Sequence, residues 1–257
     1  MPFPKTFDAF TTANFSQFLA SAKIRPGYIS FDTLQSIPLD DAHKDVAKYT
    51  ERLLPNSAFG HSVRAYYFAL AILHNGFPSG TPGVPQINFE DLQRKLYHAC
   101  VMHDVGWTTH PDAASHPART MSFELFGGIL AFEHLRTVAP TLTAHEIGDI
   151  VQSIMIHTTD YPEGQWSSVT TLLVLGASFD VLGYDAFGLG SYDFVCHRKT
   201  VQEIEKVFPR GSSLADGVMK EFDEKPNCIM GCFRGGREFL KKIRLEPLVP
   251  ADEVIEI

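Results

Sequence analysis

The chain has 257 residues, of which 44% are hydrophobic and 20% are charged, and its formal net charge is −8. This length and composition are typical of a globular protein that buries a sizeable core. Phosphate contacts require clustered Lys and Arg, and no such cluster is visible in the sequence. The composition therefore excludes a general nucleic-acid surface, and we expect no nucleic-acid partner.

Four cysteines, Cys100, Cys196, Cys228 and Cys232, form no CxxC pair, so we expect buried free thiols rather than a zinc knuckle. The first residues lack the apolar core of a signal peptide. No apolar run approaches the roughly 20 residues of a membrane span. Together these features predict a cytoplasmic protein that does not enter a membrane.

Prolines punctuate the start of the chain, and we interpret residues 1–45 as an N-terminal arm that packs on a body formed by residues 46–257. The first strong helical pattern begins after Ser57 and closes near Gly76. Asn88 is placed to cap the next helix, which runs to the pair His103-Asp104. Segments 77–86 and 108–118 are predicted loops.

Ser122 is predicted to begin a further helix, and Thr143 and Glu146 form a capping box before the next one. Segment 167–183 is apolar and of helical length, so we prefer a helix there to a strand at 169–174. Three more helices are predicted around 198–208, 213–223 and 233–244. The predicted fold class is all-α, with one helical domain around a metal site.

Ionisable side chains interrupt three of these apolar helices: His61 in the first, His103-Asp104 at the end of the second, and Asp180 in segment 167–183. A lone histidine in such a helix is usually a satisfied core residue. Few cations lie near Asp180 in sequence, and an unpaired buried carboxylate would be costly. Two imidazoles and two carboxylates in this order suit a divalent transition metal such as Zn²⁺ or Fe²⁺.

The pair His103-Asp104 constrains the local structure. Adjacent residues on a helix point about 100° apart, so both side chains reach one ion only where the helix ends or bends. Gly106 follows two residues later and permits such a break. Mixed His and carboxylate ligation that leaves positions open for water indicates a catalytic site rather than a structural one.

The ordered set H…HD…D resembles the HD-domain superfamily of metal-dependent, all-α proteins. Five segments look like the fungal cyanamide hydratase branch of that superfamily: FGHSVRAYYFA (59–69), MHDVGWT (102–108), RTMSFELFGG (119–128), IMIHTTD (154–160) and SFDVLG (178–183). The run TMSFELFGG is the most specific, because generic HD phosphohydrolases do not carry it. The similarity covers roughly residues 45–210.

This resemblance implies hydration of cyanamide to urea at one divalent metal ion, with Zn²⁺ expected and Fe²⁺ as the alternative. Carried over position by position, the metal ligands are His61, His103, Asp104 and Asp180. Asp104, Glu124 and His157 are the candidate catalytic residues, the latter two for substrate positioning or proton transfer. Glu124 could equally favour the start of its helix, and His157 could satisfy the last carbonyls of its own.

Two other functions stay open from sequence alone: an HD-type phosphohydrolase acting on a nucleotide or phosphoester, and a non-catalytic binding protein. Of the basic residues, only Arg64 and Arg119 lie beside the motifs, which favours a small neutral substrate over a phosphate. The chain departs from the hydratase branch at Gly106-Trp107, so another small nitrile or isonitrile stays an alternative substrate. His110 and His116 are interpreted as surface residues of a loop, and a homo-oligomer stays open.

Overall fold

The structure, a computed structural model, describes residues 3–12, 14–159, 164–186, 188–232 and 235–256. Helices dominate the described chain, which confirms the all-α prediction. The α-helices are α1 (Phe15–Ser21), α2 (Phe31–Gln35), α3 (Asp41–Leu53), α4 (Asn56–His74), α5 (Phe89–Met102), α6 (Pro111–Ala114), α7 (Phe123–Val138), α8 (Ala144–Ile156), α9 (Ser168–Leu182), α10 (Arg198–Val207), α11 (Ser213–Glu224) and α12 (Ile229–Cys232). None of these described helices is long and apolar enough to cross a membrane.

Two small antiparallel ribbons join the N-terminal segment to the helical body. Strand β1 (Thr6–Asp8) pairs with β3 (Gln86–Asn88), and β2 (Phe10–Thr12) pairs with β4 (Gln165–Ser167). The sequence did not predict them, because three residues carry too little alternation to be recognised. Helix α3 runs unbroken through residue 45, where we divided arm from body, and that division stays a prediction.

The packing of α9 against α4 depends on Gly176. A Cβ at this position would lie 2.4 Å from the carbonyl oxygen of Ala65, so the two helices approach more closely than any side chain would allow. Asp180 lies one turn after Gly176 in α9, and His61 lies one turn before Ala65 in α4. The close approach therefore brings these two predicted site residues into contact. Helix α9 includes 169–174, so the preference for a helix there is confirmed.

A second close approach fixes the turn that follows His103-Asp104. Helix α5 ends at Met102, and a 3₁₀ turn follows at Val105–Trp107, so the expected break is confirmed. A Cβ at Gly106 would lie 2.0 Å from the carbonyl oxygen of Phe123 in α7. Only glycine lets this turn lie directly on α7, the helix that carries Glu124.

Most helix starts follow the sequence. The side chain of Asn88 accepts from Asp91 N–H, and the capping box of Thr143 and Glu146 is present. Helix α7 begins where expected, but the Ser122 side chain does not cap it. The sequence could not reveal the actual partner of this helix start, because it comes from α11 in a distant part of the chain.

Two expectations for the C-terminal part were wrong. The last predicted α-helix is instead a 3₁₀ helix at Gly236–Lys242, while residues 233 and 234 of the predicted range lie outside the described residues. Cys232 is exposed, whereas Cys100, Cys196 and Cys228 are buried free thiols as expected.

A buried histidine lies away from the predicted site. His98 of α5 is 1% exposed, and its ring stacks on that of His43 with centroids 4.7 Å apart. Neither ring nitrogen of His98 has a hydrogen-bond partner among the described residues. Burial, reinforced by the nearby His43, Arg94 and His134 and opposed by Asp40, lowers the pKa of His98 to about 3. His98 is therefore neutral in the folded protein at physiological pH.

This burial predicts a pH-dependent stability. The folded-state pKa of His98 lies below the unfolded value of about 6.5, so protonation favours the unfolded chain. The stability of the protein therefore falls as the pH drops below about 6.5, and this loss levels off near the folded-state pKa. At pH 5 the loss from this residue should be about 2 kcal/mol. In urea unfolding at pH 7.5 and pH 5, His98→Phe should lose less stability than the wild type, by about that amount. The exposed control His145→Ala should behave as the wild type, and equal pH dependence in all three proteins would contradict the argument.

Candidate metal centre

Three buried side chains converge on one point. His61 comes from α4, His103 caps the end of α5, and Asp104 follows it; each is at most 2% exposed. The distances are 3.1 Å between the two Nε2 atoms, and 3.5 and 3.4 Å from these atoms to Asp104 Oδ2. Donors at about 2.1 Å from a tetrahedral ion are separated by about 3.4 Å. The triangle thus has the dimensions of one face of a tetrahedral site.

The remaining ring nitrogens determine the tautomers. His103 Nδ1 donates to the carbonyl oxygen of Cys100 at 2.7 Å, and His61 Nδ1 donates to Asp180 Oδ2 at 2.6 Å. Because each neutral imidazole carries one proton, both Nε2 atoms present lone pairs. Two lone pairs facing each other at 3.1 Å repel unless a cation lies between them. This arrangement fits a metal ion.

The charge balance of Asp104 agrees with this fit. Its Oδ2 atom is buried without a hydrogen-bond donor among the described residues. Burial, followed by the negative charges of Glu124 and Asp180, raises the pKa of Asp104 well above its usual value. Burial likewise lowers the pKa of His103 well below its usual value, with the nearby His157 and His61 adding to the effect. A cation would stabilise the ionised carboxylate and the neutral imidazoles together, so the cluster of His61, His103 and Asp104 can hold a metal ion.

His157 also reaches this site. It caps the end of α8, and its Nδ1 donates to the carbonyl oxygen of Ile154 at 2.6 Å. Its Nε2 lies 3.7 Å from Asp104 Oδ1, and its ring meets that of His103 edge-on with centroids 4.8 Å apart. The same backbone bond that explains His157 as a helix cap therefore aims its other nitrogen at the cluster.

The structure places Asp180 behind His61 rather than in the group of converging donors that the described residues form. Its Oδ2 accepts from His61 Nδ1, and Arg64 donates to both carboxylate oxygens at 2.8 and 3.0 Å. Arg210 donates to Oδ1 at 2.9 Å. Burial would raise the pKa of Asp180, but Arg210 and Arg64 outweigh it and hold the pKa well below its usual range.

Few cations lie near Asp180 in the sequence, but the carboxylate is paired in the folded protein. Arg64 and Arg210 lie 116 and 30 residues away along the chain, and the fold brings both guanidinium groups to one carboxylate. Hydrogen-bonded in this way, Asp180 fixes the tautomer and the ring orientation of His61. Its role as a metal ligand stays a prediction.

Glu124 is fully buried in the first turn of α7. Thr158 donates its hydroxyl to Glu124 Oε1 at 2.6 Å, and Ser122 donates to Oε2. Burial raises the pKa of Glu124, and these two hydroxyl groups partly offset the effect. Thr158 lines the cavity beside the three donors, whereas Glu124 does not. Thr158 therefore lies between Glu124 and this cavity. The sequence analysis missed Thr158, although it directly follows His157 in a motif.

The cavity beside the donors is small, at about 40 Å³. Its wall is largely apolar and comes from the middle and the C-terminal part of the chain: Trp107, Phe123, Leu214, Val218, Met230 and Phe239. Four aromatic residues beside the motifs predict an apolar wall, and of these Trp107 and Phe123 line this cavity whereas Phe126 and Phe179 do not. The four C-terminal residues were not predicted, because nothing in a segment's own pattern shows which cavity it covers. No Lys or Arg lines this cavity among the described residues.

His110 and His116 serve their local backbone. His110 Nδ1 accepts from the N–H of Asp112 at 3.3 Å, and His116 Nδ1 accepts from the N–H of Ala118 at 3.1 Å. Each imidazole therefore caps a short helical turn. Their alternation with prolines in the sequence reflects these turns.

The fold and the site define an all-α protein with a buried His-His-Asp cluster that can hold a metal ion. No protein-family model matches the chain. Two proteins of Saccharomyces cerevisiae, cyanamide hydratase DDI2 and cyanamide hydratase DDI3, are each 27% identical to it over 175 residues. Each match covers 67% of this chain and 68% of the relative. The chain is therefore distantly similar to cyanamide hydratases.

The geometry predicts different outcomes for two substitutions at the centre. His103→Ala removes a donor, so the purified protein should carry no metal by elemental analysis. Asp180→Asn should retain metal with an affinity about 10–100-fold lower, because it weakens the orientation of His61 and leaves three donors in place. It should also lower stability by about 3 kcal/mol, since the buried Arg64 loses the carboxylate that it pairs with, whereas Arg210 keeps Glu205. Complete metal loss from Asp180→Asn at saturating metal would instead make Asp180 a ligand.

Proposed function

We propose that this protein is a metal-dependent hydro-lyase of the HD-domain type that hydrates cyanamide, N≡C–NH₂, to urea at one divalent ion, Zn²⁺ in the first instance. The observation that carries the proposal is the cavity beside the donors. A space of only about 40 Å³ beside the donors favours a very small substrate over a nucleotide. The distant similarity to two cyanamide hydratases supports the same substrate.

The phosphohydrolase alternative fits this cavity poorly. Transfer of a charged phosphate into an apolar site is costly unless Lys or Arg donors replace its hydration. Arg64, which lies beside the first motif, donates to Asp180 and to the carbonyl oxygens of Phe208 and Pro209. Arg119, beside the third motif, lines a different pocket. A neutral substrate avoids this cost.

Hydration of a nitrile-type carbon needs a stronger nucleophile than free water. A divalent ion in the site of His61, His103 and Asp104 would supply it by lowering the pKa of a coordinated water from 15.7 towards about 7. Net addition of water forms a C–O bond, opens the C≡N bond and leaves both hydrogens on nitrogen. The protein must therefore take a proton from oxygen and return one to nitrogen within the same small cavity.

Glu124 and Thr158 are placed to carry this proton. Both oxygens of Glu124 accept hydroxyl hydrogen bonds, so the side chain is ionised in this arrangement and acts first as a base. The Thr158 hydroxyl lies between this carboxylate and the cavity and relays the proton. His157, beside Asp104, is positioned to orient the substrate. The apolar wall excludes bulk water that would compete for these groups.

The proposed proton relay predicts that substitutions at Glu124 and Thr158 lower the activity without releasing the metal. Glu124→Gln and Thr158→Val should keep the metal while lowering kcat by about 10²–10⁴-fold, and Thr158→Ser should restore much of the activity. Because Glu124 acts as a base with a raised pKa, wild-type activity should fall as the pH drops through that pKa. The activity that remains in Glu124→Gln should not show this decrease at low pH. Glu133→Gln, at an exposed position on the same helix, is the matched control, and unchanged turnover in Glu124→Gln would leave that residue a purely structural role.

The proposed function is tested by assaying one purified protein against two classes of substrate. The metal-loaded protein should release urea from cyanamide, lose this activity after treatment with a chelator, and regain it with Zn²⁺. It should release no phosphate from nucleoside monophosphates. His103→Ala should be inactive on both, while the exposed control His145→Ala should match the wild type. Rapid phosphate release without urea formation would overturn the proposal in favour of a phosphohydrolase.

A further inference from the structure

Trp107 stands between two cavities. It lines the small cavity beside His61, His103 and Asp104, which we call the inner cavity. It also lines a second space of about 350 Å³, which we call the outer pocket. Among the described residues, it is the only one that lines both. The indole ring therefore lies at the boundary between the two spaces.

The indole of Trp107 is held in place by its packing contacts. It stacks on Phe123, with centroids 4.1 Å apart and the planes inclined at 26°. It also packs against the apolar cluster to which helix α11 contributes Leu214 and Val218, and a Cβ at Gly217 of the same helix would lie at an ordinary contact distance of 3.6 Å from the indole. The indole N–H is buried without an acceptor among the described residues. The wall is thus held by stacking and shape rather than by a hydrogen bond.

The outer pocket differs from the inner cavity in charge. Its lining includes Lys220 and Lys225, which pair with Glu224 at 3.7 Å and with Glu221 at 3.0 Å. It also includes Arg119, which has no ion-pair partner in the part of the chain that the structure describes. The outer pocket therefore offers one cation to an anionic group, whereas the inner cavity offers none.

Building on the function proposed above, we infer that Trp107 is the specificity-determining residue of this protein. Its indole restricts the substrate to a molecule about as small as cyanamide by closing the inner cavity against the outer pocket. A nitrile that carries a short anionic tail needs both spaces, with its C≡N group beside the metal and its tail towards Arg119. Without the indole the two spaces join, and such a substrate fits.

The metal donors do not impose this limit, because they contact only the reacting end of either molecule. Hydration of N-cyanoglycine, N≡C–NH–CH₂–COO⁻, forms the same C–O bond as hydration of cyanamide and places both water hydrogens on nitrogen to give N-carbamoylglycine. The two substrates thus share one reaction and differ only in the tail. The ratio of the kcat/KM values for the two substrates therefore isolates the effect of Trp107.

The test compares this ratio, N-cyanoglycine over cyanamide, in five metal-loaded proteins. Trp107→Ala should raise it at least tenfold over the wild type, and Trp107→Phe should raise it less. Adding Arg119→Gln to Trp107→Ala should reverse most of the gain through a higher KM for N-cyanoglycine. The control is Trp166→Phe, which alters the other tryptophan of the chain, on strand β4 away from the cavity, and should leave the ratio unchanged. An unchanged ratio in folded Trp107→Ala, or in Trp107→Phe if the alanine variant does not fold, overturns the inference.

A second measurement separates this inference from the proposed function. The visible absorption of the Co²⁺-loaded protein should change when a ligand enters the inner cavity, whether or not it reacts. In the wild type, three-atom azide should change the spectrum and N-cyanoglycine should not; in Trp107→Ala, both should. This pattern without urea formation would uphold Trp107 as the wall and overturn the hydratase proposal. Equal responses to both probes in the wild type would overturn the inference alone.

Discussion

The nitrogen atoms His61 Nε2 and His103 Nε2 face each other at 3.1 Å inside the protein, and neither carries a proton. Both protons are held at the opposite ring positions, by the Asp180 carboxylate and by the Cys100 carbonyl. Asp104 adds a buried oxygen without a donor on the third side. A cation between them would reconcile these groups, and the surrounding helices keep them in place.

The helical scaffold positions these groups through close backbone contacts. Gly176 lets α9 approach α4 so that Asp180 meets His61, and Gly106 lets the turn after Asp104 lie on α7. Arg64 and Arg210 then keep Asp180 ionised, so that its carboxylate accepts the hydrogen bond from His61. A chain of contacts thus runs from two guanidinium groups through a carboxylate and an imidazole to the centre.

Sequence patterns were sufficient for the parts of this arrangement that depend on local periodicity. The apolar helices, the break after His103 and the capping box at Thr143 follow from neighbouring residues, and so does the alignment of polar residues on apolar helices. The counter-ions of Asp180 could not be found in this way, since Arg210 lies 30 residues further along the chain. The same holds for Glu221 of α11, which accepts from the N–H of Phe123 at 2.9 Å and so caps α7 in place of Ser122.

The C-terminal segment illustrates the remaining difficulty. Leu214, Val218, Met230 and Phe239 belong to a second apolar cluster with Phe123 and Val181, and this cluster covers the cavity beside His61, His103 and Asp104. Its residue pattern predicts helices but not their target. The cover decides how small the cavity is, and thus which substrates the centre admits.

The central claim is that the cluster is a metal site, and ion-dependent unfolding tests it most directly. The metal-free protein should gain thermal stability on addition of Zn²⁺ and saturate at one ion per chain. At a free concentration of about 100 times Kd, the gain should be about 2.7 kcal/mol, or about 5–10 °C in Tm for a chain of this size. His61→Ala should show no such shift. An unchanged Tm in the wild type, or an equal shift in His61→Ala, would contradict the account.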